Sequence, residues 1–116
     1  MRKHQQLRAW QQAIDLVELV YHETRGFPND ERYGLTSQMR RAAVSIPSNI
    51  AEGAGRGSTK DFIRFLMIAR GSLSELETQL IISQRLGYID ESAPLMDLIH
   101  QVSAQLGGLI RHLQSR

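Results

Sequence analysis

The chain has no cysteine, which excludes a disulfide framework and any thiolate-bound zinc. It also has no apolar run near the roughly 18 residues that a membrane-spanning helix needs. Its first residues, MRKHQQLRAW, lack the apolar stretch of a secretory leader, so the expected setting is the cytoplasm, without membrane attachment. Strict apolar–polar alternation is missing throughout, and with it any strand pattern. Internal repeats and low-complexity tracts are absent as well. Di-iron bundles place Glu-x-x-His on facing helices. Here Glu18 and His22 are four apart, and His4, His22, His100 and His112 are scattered mostly outside the apolar stripes. Neither a metal nor another cofactor is expected.

What the chain does contain is helical periodicity over a length suited to one domain, residues 1–116. A first helix over 7–25 carries Leu7, Trp10, Ile14, Val17 and Tyr21 at 3-4-3-4 spacing, with Gly26 as its cap and Pro28 blocking continuation. A second, over 35–54, repeats Leu35, Met39, Ala43, Ile46 and Ile50; Asn29, Asp30 and Thr36 are all candidate caps. Pro47 lies inside it and predicts a kink, because it cannot donate to the Ala43 carbonyl. The third follows Gly53, Gly55 and Gly57, with Ser58 and Asp61 in capping-box spacing. It runs through Phe62, Leu66, Ala69, Leu73, Leu76 and Leu80 to Gly87. A fourth begins near Ser92, with Pro94 in its first turn, and carries Leu95, Ile99, Val102, Leu106, Leu109 and Leu113. Gly107 and Gly108 would weaken it unless a neighbouring helix packs closely there. Short loops between four such helices predict an all-α, antiparallel, up-down-up-down four-helix bundle.

Two features exceed what a simple bundle needs. From 62 to 69 every residue except Arg64 is apolar, and the first helix adds Ala13, Leu16, Leu19 and Val20 to its stripe. A helix apolar on nearly all sides must be covered on nearly all sides. The excess therefore predicts self-association, through Ile63, Phe65 and Met67 of the third helix with Leu16 and Leu19 of the first. The second feature is charge placement. Residues 34–71 hold Arg40, Arg41, Arg56, Lys60, Arg64 and Arg70 against only Glu52 and Asp61, whereas 1–33 balance and 72–116 are net acidic. Arginine forks suit carboxylates and phosphates. Arg56, Lys60 and Arg64, beside a helix N-terminus, with Arg40 brought near if the second and third helices pack antiparallel, make a candidate phosphate-backbone contact surface; the competing reading is a solvated basic face partnered by Glu52 and Asp61.

The segments LTSQMRRAAVSIPSNIAEGAGR and ARGSLSELE complete the picture. On the polar side of the second helix, short groups replace the usual Lys and Glu, as in a specific contact surface. Arg41, Ser45, Asn49 and Glu52, with Arg70, Glu75 and Glu77 from the third helix, are candidates for a structural polar network. Glu75 and Glu77 lie about 200° apart around a helix and cannot share one catalytic site. The run GAGRGSTK is not a phosphate-binding P-loop, which needs Lys directly before Ser or Thr and a strand leading in. No catalytic residue is assigned, and the chain is read as a non-enzyme.

Through Gln-x-x-Arg-Ala (from Gln38), Ser-Ile-Pro-x-Asn-Ile-Ala-Glu-Gly (from Ser45) and Ala-Arg-Gly-Ser-x-x-Glu-x-Glu (from Ala69), the sequence resembles the 23S rRNA intervening-sequence proteins. It also resembles their relatives, the accessory variability proteins of diversity-generating retroelements. That resemblance implies a four-helix bundle assembled as a ring, typically a homopentamer. In the retroelement branch it implies a basic surface for nucleic acid and a protein partner. The expected function is nucleic-acid binding, structured RNA before DNA, by a homo-oligomeric ring. The alternative is a protein-interaction scaffold with no nucleic-acid role.

Overall fold

The computed structural model describes residues 2–91 and 93–116. Among them are four α-helices, α1 (Arg8–Thr24), α2 (Leu35–Ala54), α3 (Thr59–Arg85) and α4 (Leu95–Gln114), two short 3-10 turns at Lys3–Gln6 and Asn29–Glu31, and no strand. Each helix packs on its neighbours in the chain, and α4 closes back on α1. Among the described residues α1 does not approach α3, nor α2 approach α4. The body measures 45 × 23 × 23 Å. Most of that length is spanned by α3, whose 27 residues rise about 1.5 Å each, or about 40 Å.

The apolar stripes of α2, α3 and α4 form the core much as their spacing predicts: Met39, Ile46, Ile50, Leu66, Leu76, Leu80, Val102 and Leu106 are fully buried. Helix α1 differs. Its buried side is Ala9, Ala13, Leu16, Val20 and Thr24, while Trp10, Ile14 and Val17 are half-buried and Tyr21 is exposed. The expected stripe is thus turned by about one residue, roughly 100°. The small side chains Ala9 and Ala13 face inward and the large ones lie along the flanks. Leu16, expected at an interface between copies, belongs to the core of the single chain.

Helix boundaries follow local chemistry. Ser58 is extended and its Oγ accepts from the Asp61 amide at 3.1 Å, capping α3 as its spacing predicts. At the other end Gly87 has φ +77°. Its amide donates to the Gln84 carbonyl at 3.1 Å and the Tyr88 amide to the Ser83 carbonyl at 2.9 Å, a Schellman closure. None of the three candidate caps serves α2: Asn29 and Asp30 sit in a separate 3-10 turn and Thr36 lies inside the helix. Instead the Glu31 carboxylate accepts from the Leu35 amide at 3.2 Å. Helix α4 starts at Leu95 with Pro94 as its preceding residue rather than in its first turn; Ser92 lies outside the described residues. A Cβ at Gly107 or Gly108 would meet no neighbouring helix within 4 Å. Only the guanidinium of Arg111, one turn on, comes near.

Pro47 is buried within α2, where it leaves the Ala43 carbonyl without its helical donor. The short polar residues around it turn back onto their own helix. Ser45 Oγ donates to the Ala42 carbonyl at 2.9 Å, Ser48 Oγ to that of Val44 at 2.7 Å, and Asn49 Nδ2 to that of Ser45 at 2.7 Å.

At the end of the bundle where α1 passes to α2, Tyr88 packs against Phe27 with ring centres 5.5 Å apart. The Tyr88 hydroxyl donates to Glu31 at 3.0 Å. That bond, desolvation and the carboxylates of Glu31 and Asp30 raise the tyrosine pKa above its ordinary 10.0. The folded state therefore holds the phenolic proton more tightly than the unfolded one. This contribution is complete below pH 10 and is lost as pH climbs through the raised value. Denaturant melts should show stability falling on that alkaline limb, and Tyr88→Phe should flatten the fall.

Candidate nucleic-acid interface

Helix α2 runs out at Ala54, and the turn to α3 relies on Gly57 at φ +85°. Gly53, just inside α2, is buried because α3 crosses it closely. A Cβ there would stand 2.7 Å from Phe65 Cβ and 3.2 Å from the Phe62 carbonyl oxygen. This approach brings the start of α3, and its cations, against the end of α2.

Arg56 lies 3.2 Å from Glu52, and Arg64 lies 3.9 Å from Asp61. Both guanidinium groups also sit over the half-buried Phe65 ring, each 4.9 Å from its centre. Lys60, in the first turn of α3, is exposed. Both ion pairs are exposed and contribute only about 0.2–1 kcal/mol each, so a phosphate can displace either carboxylate at little cost.

Arg40 does not join this group. Its Nε donates to Thr24 Oγ1 at 3.0 Å and its guanidinium lies 4.6 Å from the Tyr21 ring centre, so it clamps the end of α1 to α2. Fourteen residues of helix separate it from Ala54, roughly 20 Å.

The termini join instead. Arg2, Lys3 and His4 line a groove with Ser48, Glu52 and Gly55. Lys3 and His4 also line an adjoining cup with Gly57, Ser58, His112 and Arg116. Arg2, Lys3 and Arg116, with two histidines, therefore meet the end of the bundle that holds the α2–α3 turn, where Arg56 pairs with Glu52 and Lys60 and Arg64 follow in the first two turns of α3. Division of the sequence into thirds hides this grouping, because the basic termini fall in segments that are neutral or acidic overall. The signal available was the expected up-down-up-down course, which would return both termini to the α2–α3 turn.

The expected polar network is not assembled. Among Arg41, Ser45, Asn49, Glu52, Arg70, Glu75 and Glu77 the one hydrogen bond recorded is Asn49 to the Ser45 carbonyl. Glu52 pairs with Arg56, Arg70 donates to Met67 Sδ at 3.0 Å, and Glu77 meets His100 at 3.1 Å. These partners lie three or four residues along the chain or across on α4. Arg41 and Glu75 do line one groove between α2 and α3, with Tyr33 and Gln79.

Of the residues expected at an interface between copies, Ile63 and Phe65 are half-buried, Leu19 packs against the core, and Met67 is 36% exposed. Ile68, Ile81, Ile82 and Leu86 extend the exposed apolar surface of α3, and spacing alone did not single them out. Among the described residues no group of acidic, His or Cys side chains could hold a metal ion, and no helix is long and apolar enough to cross a membrane.

No curated protein matches the chain. Among solved structures, the chain is similar to a protein of unknown function from the S23 ribosomal protein family of Bacteroides thetaiotaomicron. The TM-score is 0.65 at 21% identity, covering 92% of this chain and 95% of that one; at that identity the likeness speaks for the fold. The family model of the 23S rRNA-intervening sequence protein matches residues 5–108. The chain belongs to the 23S rRNA-intervening sequence protein family.

Proposed function

We propose that the protein is a non-enzymatic, cytoplasmic nucleic-acid-binding module that contacts the phosphate backbone, of structured RNA above all, through the basic end of its bundle. The observation that carries this reading is the convergence of Arg2, Lys3 and Arg116 on the turn that bears Arg56 and leads into Lys60 and Arg64 of α3. The groups are mostly arginine and their acidic partners are exposed, which suits exchange of carboxylate for phosphate. An antiparallel up-down-up-down course, kinked at Pro47, accounts for the meeting of both termini with the α2–α3 turn.

Copies associate as a ring, a homopentamer on the resemblance described above, through the outer side of α3. There Met67, Ile68, Ile81, Ile82 and Leu86 are each at least 36% exposed. A ring repeats the basic end and multiplies its phosphate contacts. The same apolar surface favours the second reading, a scaffold that docks a protein partner.

Fluorescence anisotropy with labelled structured RNA and duplex DNA, at about 50 and 200 mM salt, separates the two. Binding should weaken with a log–log slope near −0.9 for each duplex phosphate contacted. Joint reversal of Arg56, Lys60 and Arg64 to Glu should abolish it, while Arg85→Glu, at the far end of α3, should leave it unchanged. No binding at the lower salt removes the nucleic-acid reading and leaves the scaffold.

A further inference from the structure

The cup at the basic end has a composition that phosphate contact alone does not require. Leu7, Phe62, Leu109 and Leu113 form an apolar floor, Lys3, His4, His112 and Arg116 stand around it, and no Asp or Glu side chain lines it. Its walls come from the N-terminal turn, the end of α2, the start of α3 and the end of α4. Its volume of about 380 Å³ lies within the range of small-ligand sites. The first amides of α3, those of Thr59 and Lys60, have no acceptor inside the helix, and Ser58 and Thr59 line the cup.

An apolar floor under a cationic rim with free amides matches a flat apolar group joined to an anion. We propose that the cup takes one unpaired nucleotide of the bound strand. The base lies on Phe62 and the leucines, and its phosphate meets Lys3, Arg116 and the α3 amides. This rests on the nucleic-acid reading above and adds what that reading lacks, a preference for an unpaired base over a continuous duplex. A long acyl chain with a carboxylate head fits less well. It needs a deep apolar channel, whereas this cup is open and has four large apolar side chains in its lining.

The test uses the full chain and two 5′-phosphorylated RNA duplexes, one blunt and one with a three-nucleotide single-stranded 5′ extension. The extended duplex should bind about tenfold more tightly, within the range that stacking one base supplies. Ala54→Trp, which places an indole on the cup wall, should bring the ratio of the two affinities towards one. Equal affinity of the unmodified chain for both duplexes overturns the cup and leaves backbone binding standing. Binding of neither removes both readings together. A preference that persists in a folded A54W variant also overturns it, since the extension then binds elsewhere. Should that variant fail to fold, amide NMR of the unmodified chain decides. Adenosine monophosphate should shift Phe62, Leu109 and Leu113, and a response to decanoate alone overturns the nucleotide assignment.

Discussion

Gly53→Ala should lower stability by roughly 2 kcal/mol, the cost of overpacking a close contact, with a fall in Tm on the order of 8 °C. In an exposed helix the same change would stabilise by about 1 kcal/mol, since alanine restricts the unfolded chain and favours the helix. The sign reverses here because the new Cβ would meet Phe65 Cβ at 2.7 Å and the Phe62 carbonyl at 3.2 Å. A Cβ and a backbone carbonyl cannot swing aside as the tip of a side chain can, so α3 itself must shift. Gly71 is the matched control: it lies in α3, is exposed, and a Cβ there meets nothing within 4 Å. Gly71→Ala should therefore be stabilising or neutral. Urea melts of the two variants should move in opposite directions, and a neutral G53A would show that α2 and α3 do not approach this closely. The effect also reaches the proposed interface, because the same contact brings Arg56 and Arg64 to the Phe65 ring.

Leu16→Ala should cost more, about 2–5 kcal/mol, through lost burial and the cavity left behind. Leu16 is fully enclosed within one chain, although its place in an over-wide apolar stripe pointed to an interface between copies. The two roles predict different measurements. A core residue lowers the unfolding midpoint of the protomer, whereas an interface residue changes the mass of the assembly. Met67→Lys supplies the contrast. At 36% exposure it should leave the unfolding free energy of the chain within about 0.5 kcal/mol. Sedimentation should then show a smaller assembly. If L16A instead released folded protomers of unchanged stability, the core assignment would fail.

Leu16 also illustrates why α1 was harder to read than its partners. In α2, and in α3 beyond its apolar first half, polar positions interrupt the apolar ones, so Met39, Ile46, Leu73 and Leu76 could be placed in the core from spacing alone. In α1 apolar residues occur on more than one side, and periodicity cannot choose between adjacent stripes. The packing of α2 and of α4 against α1 chose the stripe with the small side chains Ala9 and Ala13. At the candidate site, Arg56, Lys60 and Arg64 were legible because they share one local segment. Arg40 was misplaced because neighbours in composition are not neighbours in space. The serines and asparagine near Pro47 looked like a contact surface, but they donate to carbonyls of the turn that precedes the proline, those of Ala42, Val44 and Ser45.

The sequence by itself determined four helices, the Ser58 cap, the Gly87 stop and the arginine-rich turn, since each depends on residues within a few positions of one another. Only the tertiary structure decided which side of α1 faces inward, that Arg40 clamps α1 while Arg2, Lys3 and Arg116 join the basic end, and that a cup lies among them. Those outcomes depend on how helices some tens of residues apart in the chain are set side by side, and local propensity carries no term for that distance.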